Sequence, residues 1–538
     1  MTTAAQAMVK CLEEEGVKVV FGYPGAAICP FYDALASSDI RHILVRQEQN
    51  GAHAANGYAR MSGRPGVCIA TSGPGATNLL TGIATAYSDS IPIVCITGQV
   101  STELLGRDVF QEVDITGAVE PFVKHSYLVK KASDIPRVFK EAFHIAASGR
   151  PGPVLIDVPV DVQRVEFDYA YPESVNIRGY KPSVKGHVGQ IKKVAAAIKE
   201  AKCPVICAGG GVIGSQSTEE LVALAEKCNI PVITTMMGIS TIPSKHPLYY
   251  GMLGMHGVRV ANSAILDSDL LILIGARVSD RAVATPGVLE KRTKIIHIDV
   301  DPAEIGKNVG VSIPVVGDAK VILNQLNEII EPAEHIDWIR KLDEIRAEGV
   351  RPFEKREGSV NPKEFMTLLS ESAPEETYVV ADVGQNQIWT ANYFQVKKGK
   401  FMTSGGMGTM GYSVPAAMGV QLASEGQPVV AVCGDGSFQM QMMELATMCQ
   451  HDIPVKIVVL KNNRLGMVRE LQTKGFGDRQ TAVFLDGSPN FSILASAYGI
   501  PAQTIDSIDQ AKDAFQEFFA AKTPYLLEVI VDKDEPTL

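Results

Sequence analysis

Short apolar runs with the length of β-strands alternate with helical patterns along the whole chain. Runs of this kind cover residues 17–22, 66–71, 91–96 and 153–158, and Val and Ile are their commonest residues. Strands that alternate with helices form parallel sheets, because each crossover helix returns the chain to the same end of the sheet. The pattern therefore predicts an α/β protein built from doubly wound parallel sheets.

The chain of 538 residues is too long for a single hydrophobic core. At roughly 100–200 residues per domain, about three domains are expected. A polar, Tyr- and Pro-containing stretch near 163–185 and a charged stretch near 331–360 have the composition of linkers. The predicted domains are therefore 1–165, 186–330 and 361–530.

The first and third predicted domains share a sequence pattern. In each, an apolar strand leads into a Gly-x-Gly turn and a helix, at 70–78 and at 432–438, and an Ile-Pro-apolar strand follows. The offset is 361 residues between Pro74 and Asp435 and 362 between Pro92 and Pro454. Two related domains imply a ligand held between them, while the alternative is a chance likeness of two common α/β units.

Composition and charge exclude several classes of protein. The hydrophobic fraction of 46% and charged fraction of 20% are typical of globular proteins. The net charge of −10 and the lack of a Lys/Arg run argue against nucleic acid or an anionic membrane as partner. No apolar stretch reaches the roughly 18 residues of a membrane span. Without a signal or transit pattern at the N-terminus, a cytoplasmic protein is expected, with its nine cysteines mostly buried and reduced.

A candidate phosphate and metal site lies at Gly434-Asp435-Gly436-Ser437, between an apolar strand and a helix. Such a turn directs backbone N–H groups and the helix N-terminus toward a phosphate. An aspartate would repel that phosphate unless a cation lay between them, which favours Asp435 as a Mg²⁺ ligand. The next strand ends at Asn462, whose amide oxygen is expected at the same edge of the sheet.

Gly-Asp-Gly followed by Asn-Asn, with Asp435 and Asn462 27 residues apart, resembles the signature of the thiamine-diphosphate-dependent enzymes. The resemblance implies that Asp435, Asn462 and the backbone oxygen of Arg464 hold Mg²⁺. The segment 45–60 resembles the catalytic segment of that family, which implies that Glu48 is buried against the cofactor pyrimidine. Burial would raise its pKa and favour proton sharing with a ring nitrogen. By itself, a glutamate at a helix start is usually a partner of the helix dipole.

Further segments resemble the acetolactate synthase (acetohydroxyacid synthase) branch of this family. The resemblance implies that the Gly25 backbone faces the reacting oxygen and that Phe110, Gln111 and Lys124 line the substrate channel. Arg281 would contact the carboxylate of the second substrate, although Ser279 replaces an Asp of the family pattern. The residues implied in cofactor binding by the C-terminal domain are Val383, Gly384, Gln385, Asn386, Gly408, Met410, Gly434, Asp435, Gly436, Ser437, Asn462 and Met467.

The middle domain contains a literal G-x-G-x-x-G at 209–214. The dinucleotide fingerprint also requires an acid roughly 20 residues on, where the chain has Val-Ile-Thr-Thr at 232–235, so NAD is disfavoured. The resemblance instead implies FAD, as in acetolactate synthases of the biosynthetic type. The residues implied in FAD binding are Gly209, Gly210, Gly211, Thr234, Met255, His256, Gly275, Arg277, Asp299 and Asp318.

The resemblance implies an acetolactate synthase of branched-chain amino-acid biosynthesis, acting on pyruvate and 2-oxobutyrate. It implies a homodimer or homotetramer and admits a regulatory small subunit as partner. A pyruvate oxidase or decarboxylase with the same fold is the alternative. The cationic residues Lys124 and Arg281 favour the acetolactate synthase, which joins two oxo acids. A non-catalytic cofactor-binding paralogue is the third hypothesis, and the intact Glu48, Asp435 and Asn462 argue against it.

Two further positions depart from the family pattern. Asn386 stands where the family commonly has His, and both side chains can donate a hydrogen bond to phosphate. Leu471 stands where the family usually has a tryptophan that contacts the extra methyl group of 2-oxobutyrate. We therefore expect the preference for 2-oxobutyrate over pyruvate to be weak.

Overall fold

The computed structural model describes residues 1–282, 286–349, 352–354 and 357–538. In this part of the chain, three six-stranded sheets follow one another, and the strand pairs within them are parallel. A two-stranded antiparallel sheet lies near the N-terminus. The predicted fold class of three doubly wound parallel-sheet domains is confirmed.

The N-terminal domain is built around the first parallel sheet. Its strands are β1 (Thr2–Thr3), β2 (Val19–Gly22), β3 (Arg41–Leu44), β4 (Gly66–Ala70), β5 (Ile93–Gln99), β6 (His125–Leu128), β7 (Val154–Pro159) and β8 (Glu166–Phe167). Its helices are α1 (Ala4–Glu14), α2 (Cys29–Leu35), α3 (Glu48–Ser62), α4 (Pro74–Asn78), α5 (Leu80–Asp89), α6 (Ile115–Val119), α7 (Ile135–Ala147) and α8 (Val160–Gln163). The order in the six-stranded sheet is β3-β2-β4-β5-β7-β6, and β1 and β8 form the separate two-stranded sheet.

The central domain carries the second sheet. Its strands are β9 (Pro204–Ala208), β10 (Val232–Thr234), β11 (Tyr249–Met252), β12 (Leu270–Ile274), β13 (Lys294–Asp299) and β14 (Ile313–Val316). Its helices are α9 (Val188–Glu200), α10 (Gly210–Gly214), α11 (Thr218–Lys227), α12 (Arg259–Asp267), α13 (Pro286–Glu290), α14 (Ala319–Ile329) and α15 (Ile336–Glu348). The order in the sheet is β11-β10-β9-β12-β13-β14.

The C-terminal domain carries the third sheet. Its strands are β15 (Tyr378–Ala381), β16 (Phe401–Thr403), β17 (Val429–Gly434), β18 (Lys456–Lys461), β19 (Ala502–Ile505) and β20 (Tyr525–Ile530). Its helices are α16 (Pro362–Ser372), α17 (Gln385–Tyr393), α18 (Ser413–Ala423), α19 (Asp435–Gln439), α20 (Glu444–His451), α21 (Gly466–Gly475), α22 (Phe491–Ala497) and α23 (Ile508–Ala520). The order in the sheet is β16-β15-β17-β18-β20-β19.

The first and third sheets have the same topology. Counted from the first strand of each six-stranded sheet, both have the order 2-1-3-4-6-5, whereas the central sheet has the order 3-2-1-4-5-6. Helix α4 begins at Pro74 and α19 begins at Asp435, so the two Gly-x-Gly turns occupy the same place in the two sheets. The shared strand order supports the duplication predicted from the offset of 361 residues. The central order is that of dinucleotide-binding sheets.

Helices cover both faces of each sheet, so the central strands are buried along their whole length. All residues of β4 and β5 are buried, as are all those of β9 and β12. This burial explains why these segments read as continuous apolar runs rather than as alternating patterns. The ligand-binding groups must therefore come from the strand ends and the turns that follow them.

Helices α3 and α18 pack together and join the N-terminal to the C-terminal domain. A Cβ at Gly57 would lie 2.0 Å from the Ala416 carbonyl oxygen, and one at Gly419 would lie 1.9 Å from the Ala54 oxygen. The two helices therefore approach so closely that only glycine fits at these positions. The pairs of residues also show that the helices run antiparallel.

The two predicted linkers are packed against the domains. In the stretch 163–185, β8 pairs with β1, and Tyr171 donates a 2.6 Å hydrogen bond to Glu15. The stretch 331–360 contains α15, whose Trp338 is buried and donates a hydrogen bond of 3.0 Å to the Pro204 oxygen. Residues 350, 351, 355 and 356 of that stretch lie outside the described part.

All nine cysteines lie in the described part of the chain and are free thiols. Six are buried, and only Cys29 and Cys449 are exposed, which agrees with the predicted reduced, mostly buried state. No helix in the described ranges is both long enough and apolar enough to cross a membrane.

Candidate active site

The metal-binding turn predicted at Asp435 follows β17. The Asp435 carboxylate is buried, and it accepts hydrogen bonds from the N–H groups of Gly436 (3.0 Å) and Asn463 (2.6 Å). Burial raises the pKa of Asp435 to about 6. Asn463 belongs to the turn after β18, which pairs with β17, so the parallel pairing brings the two predicted metal ligands Asp435 and Asn462 to one place.

The turn after β18 is rigid. The Asn462 side-chain oxygen accepts the Arg464 N–H at 3.0 Å, and its amide nitrogen donates to the Gln385 oxygen at 3.3 Å. A Cβ at Gly466 would lie 1.8 Å from that Gln385 oxygen, so the start of α21 also touches the predicted diphosphate turn. Gln385 in turn donates to the Glu535 carbonyl at 2.9 Å. The C-terminal tail thus closes this side of the site.

The predicted diphosphate turn covers residues 382–387. Gly384 has a φ of 141°, a conformation that favours glycine. The Asn386 amide nitrogen donates to the Asp382 carbonyl at 2.7 Å, and its oxygen would lie only 3.2 Å from a Cβ at Gly434. The Asn386 side-chain oxygen, a hydrogen-bond acceptor, therefore faces the turn in this structure. The amide nitrogen donates to backbone carbonyls, so donation to phosphate would require the amide to turn, and that expectation stays a prediction.

The predicted pyrimidine turn covers residues 405–411. Gly408 has a φ of 69°, and a Cβ there would meet nothing within 4 Å, so its backbone faces open space. The Met410 methyl group would lie 3.6 Å from a Cβ at Gly436, which places it beside the metal turn. Ser437 closes that turn by donating 3.1 Å to the Gly434 oxygen. Met467, in the first turn of α21, is half-buried.

Glu48 is the first residue of α3 and is half-buried. One carboxylate oxygen accepts a hydrogen bond of 2.9 Å from the Asn78 amide. The other would lie 3.3 Å from a Cβ at Gly75, so it faces the Gly-x-Gly turn of the N-terminal domain. The acid predicted to transfer protons therefore has one oxygen fixed and one directed toward the turn.

Gly25 and Gln111 lie close to this turn. A Cβ at Gly25 would lie 2.5 Å from the Thr71 methyl group, and one at Gly75 would lie 2.8 Å from the same methyl group. A Cβ at Gly73 would lie 2.9 Å from the Cα of Gln111. The structure thus brings Glu48, Gly25 and Gln111 together around one turn of the N-terminal sheet.

Glu48 lies at one end of α3, and the segment that leads into the predicted pyrimidine turn contacts the opposite end. At one end is Glu48, and near the other Arg60 pairs with the buried Asp89 at 2.7 Å. Asp89 also accepts the Gly406 N–H at 2.7 Å, two residues from Gly408. Twelve residues of helix separate Glu48 from Arg60, or about 18 Å at 1.5 Å per residue. Within one chain, Glu48 and the pyrimidine turn are therefore far apart.

Three predicted substrate residues differ in their surroundings. The Phe110 side chain is 86% exposed. Lys124 is not near Glu48: its ammonium group donates to the Ile145 oxygen, to the Ser148 oxygen (2.7 Å) and to the Tyr180 hydroxyl (2.9 Å), at the end of α7. Burial lowers the pKa of Lys124 to about 8. Arg281 is exposed, and its guanidinium lies 3.5 Å from the Met255 sulfur.

Arg281 faces the C-terminal domain through its neighbour His256. Burial lowers the pKa of His256, and the positive charges of Arg281 and Lys474 act in the same direction, while Glu470 opposes them. Glu470 and Lys474 both belong to α21, the helix that also carries Leu471. The charges of Arg281 and of α21 thus both act on His256.

The central glycine turn is formed by close backbone contacts. A Cβ at Gly209 would lie 2.2 Å from the Gly275 oxygen, and one at Gly211 would lie 2.6 Å from the Gly275 Cα. The turns after β9 and β12 thus touch, at the point where the strand order changes direction. Ligands bind at such a point in open α/β sheets. A Cβ at Gly210 would lie 3.3 Å from the Met237 Cβ.

The other residues predicted to bind FAD have varied partners. Arg277 donates to the Ser88 oxygen (2.6 Å), and Thr234 lies 3.4 Å from the Tyr249 hydroxyl. Asp299 accepts the Asp301 N–H at 2.9 Å, and burial raises its pKa to about 6. Asp318 caps α14 by accepting the Val321 N–H at 3.1 Å. Met255 is exposed, and the buried Nδ1 atom of His256 has no hydrogen-bond partner in the described part of the chain.

Sequence reasoning gave no role to two polar residues at the site. Asn78 fixes Glu48, and Asp382 accepts hydrogen bonds from two of the cofactor turns. Asp382 directly follows β15, the kind of position where ligand-binding groups collect in parallel sheets, so its place was a usable signal. The described residues include no group of three or more His, Cys, Asp or Glu side chains that could hold a metal ion.

Three family models match the chain, and all three describe thiamine pyrophosphate (thiamine diphosphate, TPP) enzymes. The N-terminal TPP binding domain matches residues 2–118, and the central domain matches residues 191–326. The C-terminal TPP binding domain matches residues 382–529. Fold and matches together define the class: the chain is a thiamine-diphosphate-dependent enzyme.

Similar proteins narrow the class. A probable acetolactate synthase large subunit of Methanocaldococcus jannaschii is 48% identical over 99% of this chain and 92% of the relative. The acetolactate synthase large subunit of Haemophilus influenzae is 43% identical over 99% of this chain and 95% of the relative. That of Corynebacterium glutamicum is 44% identical over 99% and 87%. The chain therefore belongs to the acetolactate synthase family.

Proposed function

We propose that this chain is the catalytic subunit of an acetolactate synthase. It decarboxylates pyruvate and transfers the remaining two-carbon unit to a second pyruvate or to 2-oxobutyrate, giving 2-acetolactate or 2-aceto-2-hydroxybutyrate. The observation that carries the proposal is a pair of matched turns. One has the Glu48 carboxylate beside it, and the other carries Asp435 close to the turn of Asn462.

Asp435, Asn462 and the backbone oxygen of Arg464 would hold Mg²⁺ and, through it, the diphosphate. The observation that supports this is chemical: a buried carboxylate, an amide oxygen and a carbonyl are the hard oxygen ligands that Mg²⁺ prefers. Because the described residues offer no larger set of ligating side chains, the diphosphate oxygens would complete the coordination. Gly384, Gly434 and Ser437 would supply backbone N–H groups, and Gly408 and Met410 would position the pyrimidine.

Thiamine diphosphate, when bound, supplies the electron sink that decarboxylation requires. The protein controls the protons. Asn78 fixes one oxygen of Glu48, and the other would hold a proton in a hydrogen bond to the pyrimidine ring and return it during turnover. The Gly25 backbone and the Gln111 side chain would orient the reacting oxygen beside this acid.

The second substrate carries a carboxylate, and Arg281 is the residue we propose to bind it. Its guanidinium is exposed and lies on the side of the central domain that faces α21. Phe110 would contact the apolar part of the substrate. Lys124 is committed to three oxygen atoms at the end of α7, so its predicted role in the channel requires a rearrangement of that contact.

A complete site would use two chains. Glu48 lies about 18 Å along α3 from Arg60, which contacts the pyrimidine turn through Asp89, so a ligand that touches both Glu48 and Gly408 would join Glu48 of one chain to Gly408 of another. We therefore propose a homodimer, or a homotetramer built from such dimers. The relatives are named large subunits, which supports a smaller regulatory subunit as a further partner.

FAD would bind in the central domain as a structural cofactor. The touching turns at Gly209 and Gly275 leave a backbone cradle at the switch point of a dinucleotide-type sheet, and the unpartnered Nδ1 of His256 could bond a polar ligand. Carboligation transfers no net electrons. Anaerobic pyruvate is therefore expected to leave the flavin spectrum oxidised, and stoichiometric bleaching within a turnover would favour an oxidase.

One assay tests the proposed function. Purified protein is given pyruvate, thiamine diphosphate, Mg²⁺ and FAD, and acetolactate, acetaldehyde and reduced flavin are measured together. We expect acetolactate as the main product, and none from a Glu48→Gln control that binds thiamine diphosphate normally. Acetaldehyde as the main product would indicate a decarboxylase, and failure of the wild type to bind thiamine diphosphate would refute the cofactor assignment.

A further inference from the structure

Asp382 is a buried carboxylate at the end of β15, and none of the roles proposed above uses it. It has no exposed surface and lies between segments of the C-terminal domain that belong to different parts of the cofactor site. A charge in this position requires hydrogen-bond donors on every side, because an unpaired buried carboxylate is strongly destabilising. The identity of those donors shows what the side chain holds together.

Four N–H donors surround the two carboxylate oxygens. Oδ1 accepts the backbone N–H of Val383 (2.9 Å) and of Gly411 (3.0 Å). Oδ2 accepts the backbone N–H of Ser413 (2.8 Å) and the side-chain amide of Gln441 (2.8 Å). Val383 belongs to the diphosphate turn, Gly411 ends the pyrimidine turn, and Ser413 follows it. The carboxylate thus joins two cofactor-binding turns.

Gln441 extends the contact to the metal turn. Its amide nitrogen donates to the Ser437 carbonyl at 3.2 Å as well as to Asp382, and its oxygen accepts the Val414 N–H at 2.8 Å. Gln441 is completely buried. The backbone of Asp382 completes the set, since its N–H donates to the Val432 oxygen at 2.8 Å, three residues before Asp435.

We propose that Asp382 is a positioning residue that sets the diphosphate, pyrimidine and metal turns at the spacing that thiamine diphosphate requires. The inference rests on the proposed function, because it assumes that these turns hold that cofactor. Asp382 would touch no cofactor atom. It would act through Val383, Gly411 and Gln441, so its loss should weaken cofactor binding more than it slows turnover at saturating cofactor.

Two variants test the proposal. Asp382→Asn replaces one acceptor oxygen by an NH₂ group. The hydrogens of this group would face the N–H donors that the carboxylate now binds. Substitution of a residue that holds ligating residues in place typically costs about 10–100-fold in affinity. We therefore expect the Kd for thiamine diphosphate at saturating Mg²⁺ to rise by about that factor. Gln441→Met keeps the side-chain length and removes the amide that donates to Asp382 and Ser437 and accepts from Val414. The other three donors to Asp382 remain, so we expect a smaller rise, on the order of 3–10-fold.

Two further variants control for a merely structural effect. Adding Gln441→Glu to Asp382→Asn places an acceptor opposite the new amide, and part of the lost affinity should return. Asp157→Asn removes a carboxylate of equal burial from the N-terminal sheet, where it accepts from Thr97 (2.7 Å) and Gln99 (3.0 Å). Its Kd for thiamine diphosphate should stay within about twofold of the wild type.

The measurements are the calorimetric Kd of thiamine diphosphate and the melting temperature without cofactor. If the wild type binds the cofactor and folded Asp382→Asn binds it equally well, the inference is wrong while the proposed function stands. If Asp382→Asn does not fold, Gln441→Met decides: weaker binding at an unchanged melting temperature supports the inference, and unchanged binding overturns it. A wild type that does not bind thiamine diphosphate would refute the proposed function itself.

Discussion

The N-terminal and C-terminal domains have the same strand order, yet the turn after the third strand carries different chemistry in each. In the C-terminal domain the middle residue of the Gly-x-Gly turn is Asp435, a buried carboxylate suited to a cation. In the N-terminal domain that position is Pro74, and the acid comes from Glu48, at the start of another helix. One scaffold thus carries the turn that we propose for the metal in one half and the acid that we propose for proton transfer in the other.

The difference shows that topology fixes where a ligand can lie, while individual side chains decide what happens there. The central domain strengthens the contrast, because its sheet order differs and its glycine turn carries no acid. Changes in the two outer turns should therefore have separable effects, one on proton transfer and the other on cofactor binding.

The largest effect is expected from Glu48→Gln. The amide keeps the hydrogen-bonding size of the side chain but cannot carry the proton, and general acid–base groups typically contribute about 10²–10⁴-fold to the rate. We expect kcat to fall by that factor while the Kd for thiamine diphosphate changes little. Steady-state kinetics with calorimetric binding measures both. A variant that retains most of the wild-type rate would remove Glu48 from the mechanism.

A smaller effect is expected from Leu471→Trp, on the helix that faces Arg281. Leu471 is 62% exposed, so a larger ring can be placed there without repacking a core. One methylene in an apolar pocket is worth roughly 1–3 kcal/mol, or about 10–200-fold, and leucine should lose part of this. We expect the wild type to prefer 2-oxobutyrate weakly and the variant to prefer it more strongly.

The measurement is product composition at equal concentrations of pyruvate and 2-oxobutyrate. Met467 lies one helical turn from Leu471 and is adaptable enough to fill the missing volume. A Met467→Ala variant, made with and without Leu471→Trp, separates the two contributions. A strong preference for 2-oxobutyrate in the wild type, unchanged in Leu471→Trp, would show that the substitution has no effect.

The smallest effect concerns stability and comes from a buried acid of the N-terminal half. Burial raises the pKa of Asp157, on β7 of the N-terminal sheet, to about 7. An aspartate in the unfolded chain has a pKa of about 3.9, so between these values the folded protein binds a proton that the unfolded chain has lost. The stabilisation is complete below about pH 4 and is lost as the pH rises through 7.

Asp157→Asn cannot titrate, so its melting temperature should depend less on pH than that of the wild type. We expect the wild type to lose on the order of a few degrees more than the variant between pH 5 and pH 8. Thermal unfolding across this range measures the difference. Parallel curves for the two proteins would mean that Asp157 titrates alike in the folded and unfolded states.

Much of the fold could be predicted from the sequence, because the patterns that indicate strands and turns are local. The apolar runs were long enough to identify buried strands, and the offset of 361 residues identified the two matching turns. Asp435 and Asn462 lie near each other because adjacent parallel strands end at the same edge, which follows from strand pairing alone. The positions of turns and strand ends therefore needed no knowledge of long-range contacts.

Other features depend on contacts that no local pattern reveals. Lys124 is held by Tyr180, 56 residues away in a stretch predicted to be a linker. The orientation of the Asn386 amide follows from the Asp382 and Val432 carbonyls, which are brought together only in the folded sheet. The separation of Glu48 from Gly408 depends on the antiparallel packing of α3 and α18. Each of these requires the tertiary structure.

The most direct test of the account is complementation between the two halves. Glu48→Gln and Asp435→Ala chains are each expected to be inactive, and they are mixed under conditions where subunit exchange is shown independently with differently tagged chains. If each site joins Glu48 of one chain to the metal turn of another, a mixed dimer contains one intact site of two. About half of the dimers in an equal mixture are mixed, so activity should return to about a quarter of that of the same amount of wild type. Demonstrated exchange without any return of activity would contradict the account.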